Sequence, residues 1–289
     1  LKNGSKGKEV IKLQEFLDID SDGHFGKGTE GAVKTWQANN KLTVDGIVGP
    51  STWNAMGLAS TDVEESYYET ENCLKIHRHF LPAHEYMTGS NPEYIFLHHT
   101  AGWNNPFRTI DHWGRDSRGR IATEFVLGGQ SVKGDDNKYD GVLVQCMPQG
   151  GWGWHLGTGR SDMHQNSVGI EVNNFGWIKD GKTYAGTSAD DLQIVTLDQP
   201  FRGHKTWHRY SDKQIEVLRD WIIWIGERDN IDIRAGLPTL IKTIGVDAFE
   251  YIPEVLRGKC KGLWTHTNVR KDKSDMFPQP ELMDMLVSL

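Results

Sequence analysis

Residues 22–29 read DGHFGKGT and residues 45–52 read DGIVGPST. The two share D-G-x-apolar-G-x-x-T, and the match runs backwards at the same 23-residue offset: Val10 with Val33, Leu13 with Trp36, Gln14 with Gln37. A repeat of this kind constrains a chain strongly, because each copy is one supersecondary unit that buries its apolar face only against a neighbour. Each copy predicts a short helix, with Val10, Leu13 and Leu17 at i, i+3 and i+7, then an Asp-Gly turn, then a Gly and a Thr placed to cap the next helix. The first copy, DIDSDGHFGKGTE from Asp18 to Glu30, also spaces Asp18, Asp20 and Asp22 like the start of a calcium-binding loop. Such a loop closes with a bidentate Glu at its twelfth position, where this chain has Thr29. The second copy replaces Asp18 and Asp20 by Lys41 and Thr43, so what the repeat keeps is a turn and not a metal cage.

The ordered pattern V-x-x-L-Q, D-G-x-F-G-x-x-T, then Ala32-Val33, Trp36-Gln37, Asp45-Gly46, Gly49 and Thr52-Trp53, resembles the small three-helix peptidoglycan-binding domain over residues 1–58. The resemblance implies an all-α, non-catalytic module that tethers an enzyme to bacterial peptidoglycan. Trp36, Asp45, Gly46 and Trp53 are its candidate wall contacts. A generic helical mini-domain, with Gly and Asp serving only as turn formers, would carry the same residues.

The 289 residues exceed one ordinary domain, and 37% apolar with 25% charged residues lets two parts each bury a core. A net charge of −7 argues against a nucleic-acid partner, which needs a basic face. No run approaches the length of a membrane span, and the opening LKNGSKGKEV lacks the apolar core of a secretory signal. The expectation is a monomer made in a cytosol, without membrane insertion, that reaches the wall only when something else breaches the membrane. Cys73, Cys146 and Cys260 are odd in number and widely spaced, which suits reduced thiols. Residues 59–72, ASTDVEESYYETEN, are acidic and aperiodic and predict a linker, leaving 73–289 as a second domain.

In that domain Tyr94-Ile-Phe-Leu97 predicts a buried strand, followed at once by His98 and His99. The end of a buried strand is where α/β proteins place their sites, although a lone His pair is more often structural. Residues 167–174, SVGIEVNN, form a second short strand; with Val168, Ile170 and Val172 facing a core, Glu171 faces the other way. Such a Glu is also compatible with plain exposure on a strand. Downstream, His266, Lys273 and Asp275 bring one imidazole, one ammonium and one carboxylate into a short stretch, or simply a polar loop. Ser211 and Gln214 spell a capping box, with Ile215, Leu218, Ile222 and Ile225 on the apolar face of the helix that follows.

F-L-H-H-T-A-G, N-S-V-G-I-E-V-N-N and T-H-x6-K-S-D, in that order, resemble the zinc-dependent N-acetylmuramoyl-L-alanine amidases. This family shares its fold with peptidoglycan recognition proteins and supplies many phage endolysins. Gly153-Trp-His155-Leu-Gly157 resembles the family's W-H-x-G element, and the likeness spans most of residues 85–285. It implies an α/β domain, a central mixed β-sheet flanked by helices. It further implies Zn2+ held by His98, His266 and Asp275, catalysis by Glu171 and Lys273, and substrate contacts at His99, His155 and Asn174. The bond cut would join the lactyl group of N-acetylmuramic acid to L-alanine of the stem peptide.

The chemistry is coherent, since catalytic zinc typically takes three protein ligands and keeps a fourth position for water. Where many members carry a His after a small residue, this chain has Ala122-Thr-Glu-Phe-Val126, which leaves a substrate contact there open. Residues 179–209 and 235–262 are longer than the family core and are expected as specificity-tuning loops. A non-catalytic peptidoglycan receptor and a stem-peptide endopeptidase are the rival functions, and an unanchored recycling amidase is a closer one. An anchored amidase without its own signal most resembles an endolysin.

Overall fold

The computed structural model describes residues 1–56 and 67–289. The chain divides into two compact units, Leu1–Glu64 and Glu65–Leu289. The linker expected at 59–72 lies partly outside the described residues, and its end is structured: Tyr67–Glu69 already pair with Lys75–His77.

The first unit carries helices α1 (Lys8–Phe16), α2 (Lys27–Asn39) and α3 (Pro50–Ala55). Val10, Leu13, Phe25, Val33 and Val48 form its core. The repeat extends down to the hydrogen bonds. Gln14 Nε2 donates to Asp22 Oδ1 at 2.9 Å and Gln14 Oε1 accepts from Gly23 N at 2.9 Å. Gln37 makes the same two bonds, at the same lengths, to Asp45 and Gly46. Thr29 and Thr52 therefore do not cap helices: each hydroxyl faces its glutamine, at 3.1 and 3.2 Å, from inside the first turn. Asp45 and Gly46 build the turn. Asp45 Oδ1 also accepts from Ile47 N at 2.8 Å, and Gly46, at φ 73°, would push a Cβ to 2.7 Å from Lys34 Cε. Trp36 and Trp53 are half-buried against the core, and Trp36 meets Phe16 edge-on.

The second unit contains β1 (Tyr67–Glu69), β2 (Lys75–Arg78), β3 (Met87–Thr88), β4 (Tyr94–His99), β5 (Phe125–Leu127), β6 (Leu143–Gln145), β7 (Gly151–Trp152) and β8 (Ser167–Val172). The hairpin β9 (Ile194–Phe201) and β10 (His204–His208) and the strand β11 (Gly262–Thr265) complete its strands. Seven of them make one mixed sheet in the order β1-β2-β6-β5-β8-β4-β11, in which β5, β8, β4 and β11 run parallel. Its helices are α4 (Pro106–Trp113), α5 (Ser161–Gln165), α6 (Asp212–Asp229), α7 (Leu237–Ile244), α8 (Pro253–Leu256), α9 (His266–Val269) and α10 (Pro280–Ser288).

Helix α6 starts where the capping box predicts, with Ser211 Oγ accepting from Gln214 N at 3.0 Å and Gln214 Oε1 accepting from Ser211 N at 3.1 Å. Its Leu218, Trp221, Ile222 and Ile225 pack with Phe125, Ile170 and Val172 in the main core. Each such side chain contributes roughly 1.5–3 kcal/mol on full burial. A second core, with Ile110 of α4 and Val126 and Val144 of the sheet, lies elsewhere in the unit. Glu124 is buried and paired with Arg228 at 2.8 Å, which makes it a structural carboxylate rather than a substrate contact. The segments expected as loops carry regular structure: 179–209 contains the β9–β10 hairpin and 235–262 contains α7 and α8. Among the described residues the cysteines are free, and no helix is long and apolar enough to cross a membrane.

Candidate metal centre and active-site cleft

Parallel pairing brings the carboxyl ends of neighbouring strands to one edge, the usual place for a site in an open α/β sheet. His98 of β4 stands opposite Glu171 of β8. Thr265 of β11 stands opposite Leu97, so His266, opening α9, comes level with His98. The chain leaving α9 returns with Lys273 and Asp275 to line the same cleft.

One ligand atom each from His98, His266 and Asp275 lies within 4.8 Å of the others, and all three residues are buried. His98 Nδ1 is 3.4 Å, and His266 Nδ1 is 3.0 Å, from Asp275 Oδ2. His266 Nε2 lies 2.9 Å from the Leu156 carbonyl oxygen and its Nδ1 3.0 Å from Asp275 Oδ2, so the ring stands between two acceptors, and a cation taken up at Nδ1 leaves the remaining ring proton for the carbonyl. His98 Nδ1 is buried without a hydrogen-bond partner. Acceptor atoms that converge in this way fit a metal cation, and two imidazoles with one carboxylate are a set that borderline transition metals take. Burial pushes His98 down to about 4 against the pull of Asp275, so it is neutral near pH 7. Burial would raise the Asp275 carboxyl, but His266 and His98 outweigh it and hold the group well below the usual carboxylate range.

Glu171 lines the cleft beside this cluster, and its Oε2 is buried without a partner. Burial holds its carboxyl well above the usual range; Asp275 adds to that push and Lys273 opposes it. The cleft, about 490 Å³, is also walled by Trp113, Arg118, Thr123 and Trp154. A second arm of about 470 Å³ shares Glu171 and Trp113 and adds Trp103, Arg108, His112 and Tyr184. Tyr184 comes from the 179–209 segment and donates to the Ala101 carbonyl at 2.7 Å, so that segment builds a wall of the second arm. Nothing in the sequence around Tyr184 or Arg118 signals this placement. Trp154 could have been found, since it adjoins His155 in the W-H-x-G element.

Of the substrate contacts expected, His99 lines the cleft, with its Nδ1 2.7 Å from the Tyr210 hydroxyl and burial lowering it to about 4. Asn174 does not. It is fully buried, with Nδ2 donating to the His208 carbonyl at 2.7 Å and Oδ1 accepting from Gly176 N at 2.7 Å, so its amide is consumed by the chain itself. His155 touches the cleft, but both ring nitrogens are engaged, Nδ1 with His98 Nε2 at 3.0 Å and Nε2 with Ser167 Oγ at 2.9 Å. Its ring has no nitrogen left for substrate. Asp272, close in sequence to the cluster, is held by Arg270 through both oxygens, at 2.7 and 2.6 Å.

Residues 6–56 match the peptidoglycan binding domain family, and residues 88–275 match the N-acetylmuramoyl-L-alanine amidase family. Among solved structures, PlyL is 13% identical, covering 66% of this chain and 80% of that one at a TM-score of 0.38. LysC of Clostridium intestinale URNW, an N-acetylmuramoyl-L-alanine amidase, is 14% identical over 74% of this chain and 95% of its own, with a TM-score of 0.40. A Burkholderia AP3 phage endolysin is 34% identical but shares only 22% of this chain and 27% of its own, with a TM-score of 0.20. These superpositions are loose, and membership rests on the sequence match over most of the chain. The chain belongs to the N-acetylmuramoyl-L-alanine amidase family.

Proposed function

We propose that this protein is an endolysin-type enzyme that uses zinc to hydrolyse the amide between N-acetylmuramic acid and L-alanine in bacterial peptidoglycan, with residues 1–58 as its wall anchor. The observation that carries the reading is the convergence of His98 Nδ1, His266 Nδ1 and Asp275 Oδ2 beside the unpartnered Glu171 Oε2 in one cleft. A zinc ion held by His98, His266 and Asp275 would supply Lewis acidity, polarising a carbonyl and lowering the pKa of water toward about 7.

The remaining work falls to the chain. Glu171 removes a proton from the attacking water and delivers it to the leaving amine of L-alanine, a role for which a raised carboxyl pKa is suited. Lys273 presents a fixed positive charge in the cleft, where negative charge develops on the scissile carbonyl oxygen. Two arms meeting at Glu171 give room for substrate on both sides of the reacting amide. A receptor on this fold would have no use for a buried, unpartnered carboxyl beside a cation site.

Mass spectrometry of digested, purified peptidoglycan tests the reading, alongside metal analysis of the protein. Whole stem peptides with a free L-alanine amino end, one zinc per chain, and no release after chelation are expected. Products that keep muramic acid joined to L-alanine, or full activity of metal-stripped protein, would overturn it.

A further inference from the structure

His155 and Leu156 are neighbours in sequence, and each touches a different imidazole of the metal cluster. His155 Nδ1 lies 3.0 Å from His98 Nε2, and the Leu156 carbonyl oxygen lies 2.9 Å from His266 Nε2. The direction of the first bond is decided at its far end. Ser167 Oγ is 2.7 Å from the Met163 carbonyl oxygen and 3.2 Å from that of His164; carbonyls only accept, so the single hydroxyl proton is spent there. Ser167 Oγ must then accept at its 2.9 Å contact with His155 Nε2, which puts the proton of that neutral ring on Nε2 and leaves Nδ1 bare. His155 Nδ1 can only accept from His98 Nε2–H, and His98 Nδ1 keeps its lone pair for the cluster. At His266, whose Nδ1 lies 3.0 Å from Asp275 Oδ2, the Leu156 carbonyl holds the Nε2 proton when a metal takes Nδ1.

The dipeptide is itself held in place. The backbone N–H groups of His155 and Leu156 both donate to His164 Nδ1, at 3.0 and 3.3 Å. Gly169 leaves room for the His155 ring: a Cβ there would stand 3.0 Å from His155 Nδ1 and 2.7 Å from Thr123 Cγ2. Ser167, Gly169 and Glu171 alternate along β8, so a single strand face anchors this ring, makes space for it and carries the cleft carboxyl.

We propose that His155 and Leu156, held by Ser167 and His164, are positioning residues that set both histidine ligands in one tautomer and orientation, Nε2 protonated and Nδ1 facing the metal. The proposal deepens the zinc reading and rests on it. Partners of this kind behind metal-bound imidazoles typically change affinity by about 10–100-fold when removed.

The test uses the full chain and two readouts. Zinc affinity, measured by competition with a chromophoric chelator, should weaken about 10–100-fold in His155→Leu and recover most of the loss in His155→Asn. The Asn carbonyl oxygen can stand near the position of Nδ1 and accept from His98 Nε2–H. Gly169→Ala, which alters no polar group, should also weaken binding by crowding the ring. Wild-type affinity in His155→Leu, or equal losses in the Leu and Asn variants, would overturn the proposal. Nitrogen NMR of the metal-free wild type is the second readout and does not depend on folding of a variant: His98 should carry its proton on Nε2 and leave Nδ1 bare. A proton on His98 Nδ1 would overturn the clamp. A wild type that binds no zinc would sink the metal reading instead, and the metal-free spectrum would still decide the tautomers.

Discussion

In the N-terminal unit two glutamines are buried, and each is saturated by its own turn: Gln14 and Gln37 bond the following Asp, Gly and Thr with both ends of the amide. In the second unit His98 Nδ1 and Glu171 Oε2 are also buried, and neither makes a hydrogen bond; His98 Nδ1 instead faces Asp275 Oδ2 at 3.4 Å. A buried polar atom left unpaired costs about 1–3 kcal/mol, so a cluster of them is not explained by folding. Single orphans occur elsewhere, such as Trp221 Nε1, and call for no ligand. What marks the cleft is that its unpaired and acceptor-only atoms converge. The difference separates residues whose amides are spent on a turn from residues whose polar atoms converge in one cluster.

Asp275→Ala should be the most damaging substitution in the second unit. Two neutral imidazoles hold zinc poorly, so metal content should be lost and turnover of muropeptides should fall by several orders of magnitude, with the fold retained in circular dichroism. Full zinc and activity would show that the converging acceptors are as structural as Gln14.

Removing the anchor should have a smaller effect, and one confined to intact substrate. A fragment of residues 67–289 should cleave soluble muropeptides at the full-length rate and lose roughly 10²-fold or more on intact sacculi through lost effective concentration. Equal lysis of sacculi by both would leave residues 1–58 without an anchoring role.

Acid should separate the units. Burial lowers His98, His99 and His164 to about 4 and His208 to about 3. The unfolded chain takes up these protons below about pH 6.5, whereas the folded unit refuses them until about pH 4. Its stability is therefore full above pH 6.5 and falls as pH drops through that window. The N-terminal unit has one histidine, His24, and it is exposed. Denaturation followed by NMR from pH 7 to 4 should show the second unit melting earlier while the first holds; parallel loss would contradict the assignment of neutral buried imidazoles.

Gln37→Ala should have the smallest effect, destabilising the first unit by about 1–3 kcal/mol as Gly46 N and Asp45 lose their partner. Turnover of soluble muropeptides should not change. A drop in that turnover would mean the two units are not separable in function.

Much of this molecule is legible in its sequence alone. The 23-residue repeat, the capping box at Ser211 and the apolar runs leading to His98 and Glu171 are local signals, carried by residues a few positions apart. Chemical identity is local too, so the order of His98, Glu171, His266, Lys273 and Asp275 names a family and a candidate ligand set. Convergence is not local. The register that sets Glu171 opposite His98, and the wall that Tyr184 builds against Ala101, depend on strands and loops distant in sequence. The same holds for residues whose type suggests substrate binding. Asn174 and His155 have side chains able to meet a ligand, but hydrogen-bond partners brought in by β4, β8, β10 and the turn at Gly176 engage the side-chain oxygen and nitrogens of both. A sequence determines which donors and acceptors a chain owns; only tertiary packing decides which remain free, because each bond made inside the fold removes one that a substrate or metal could make.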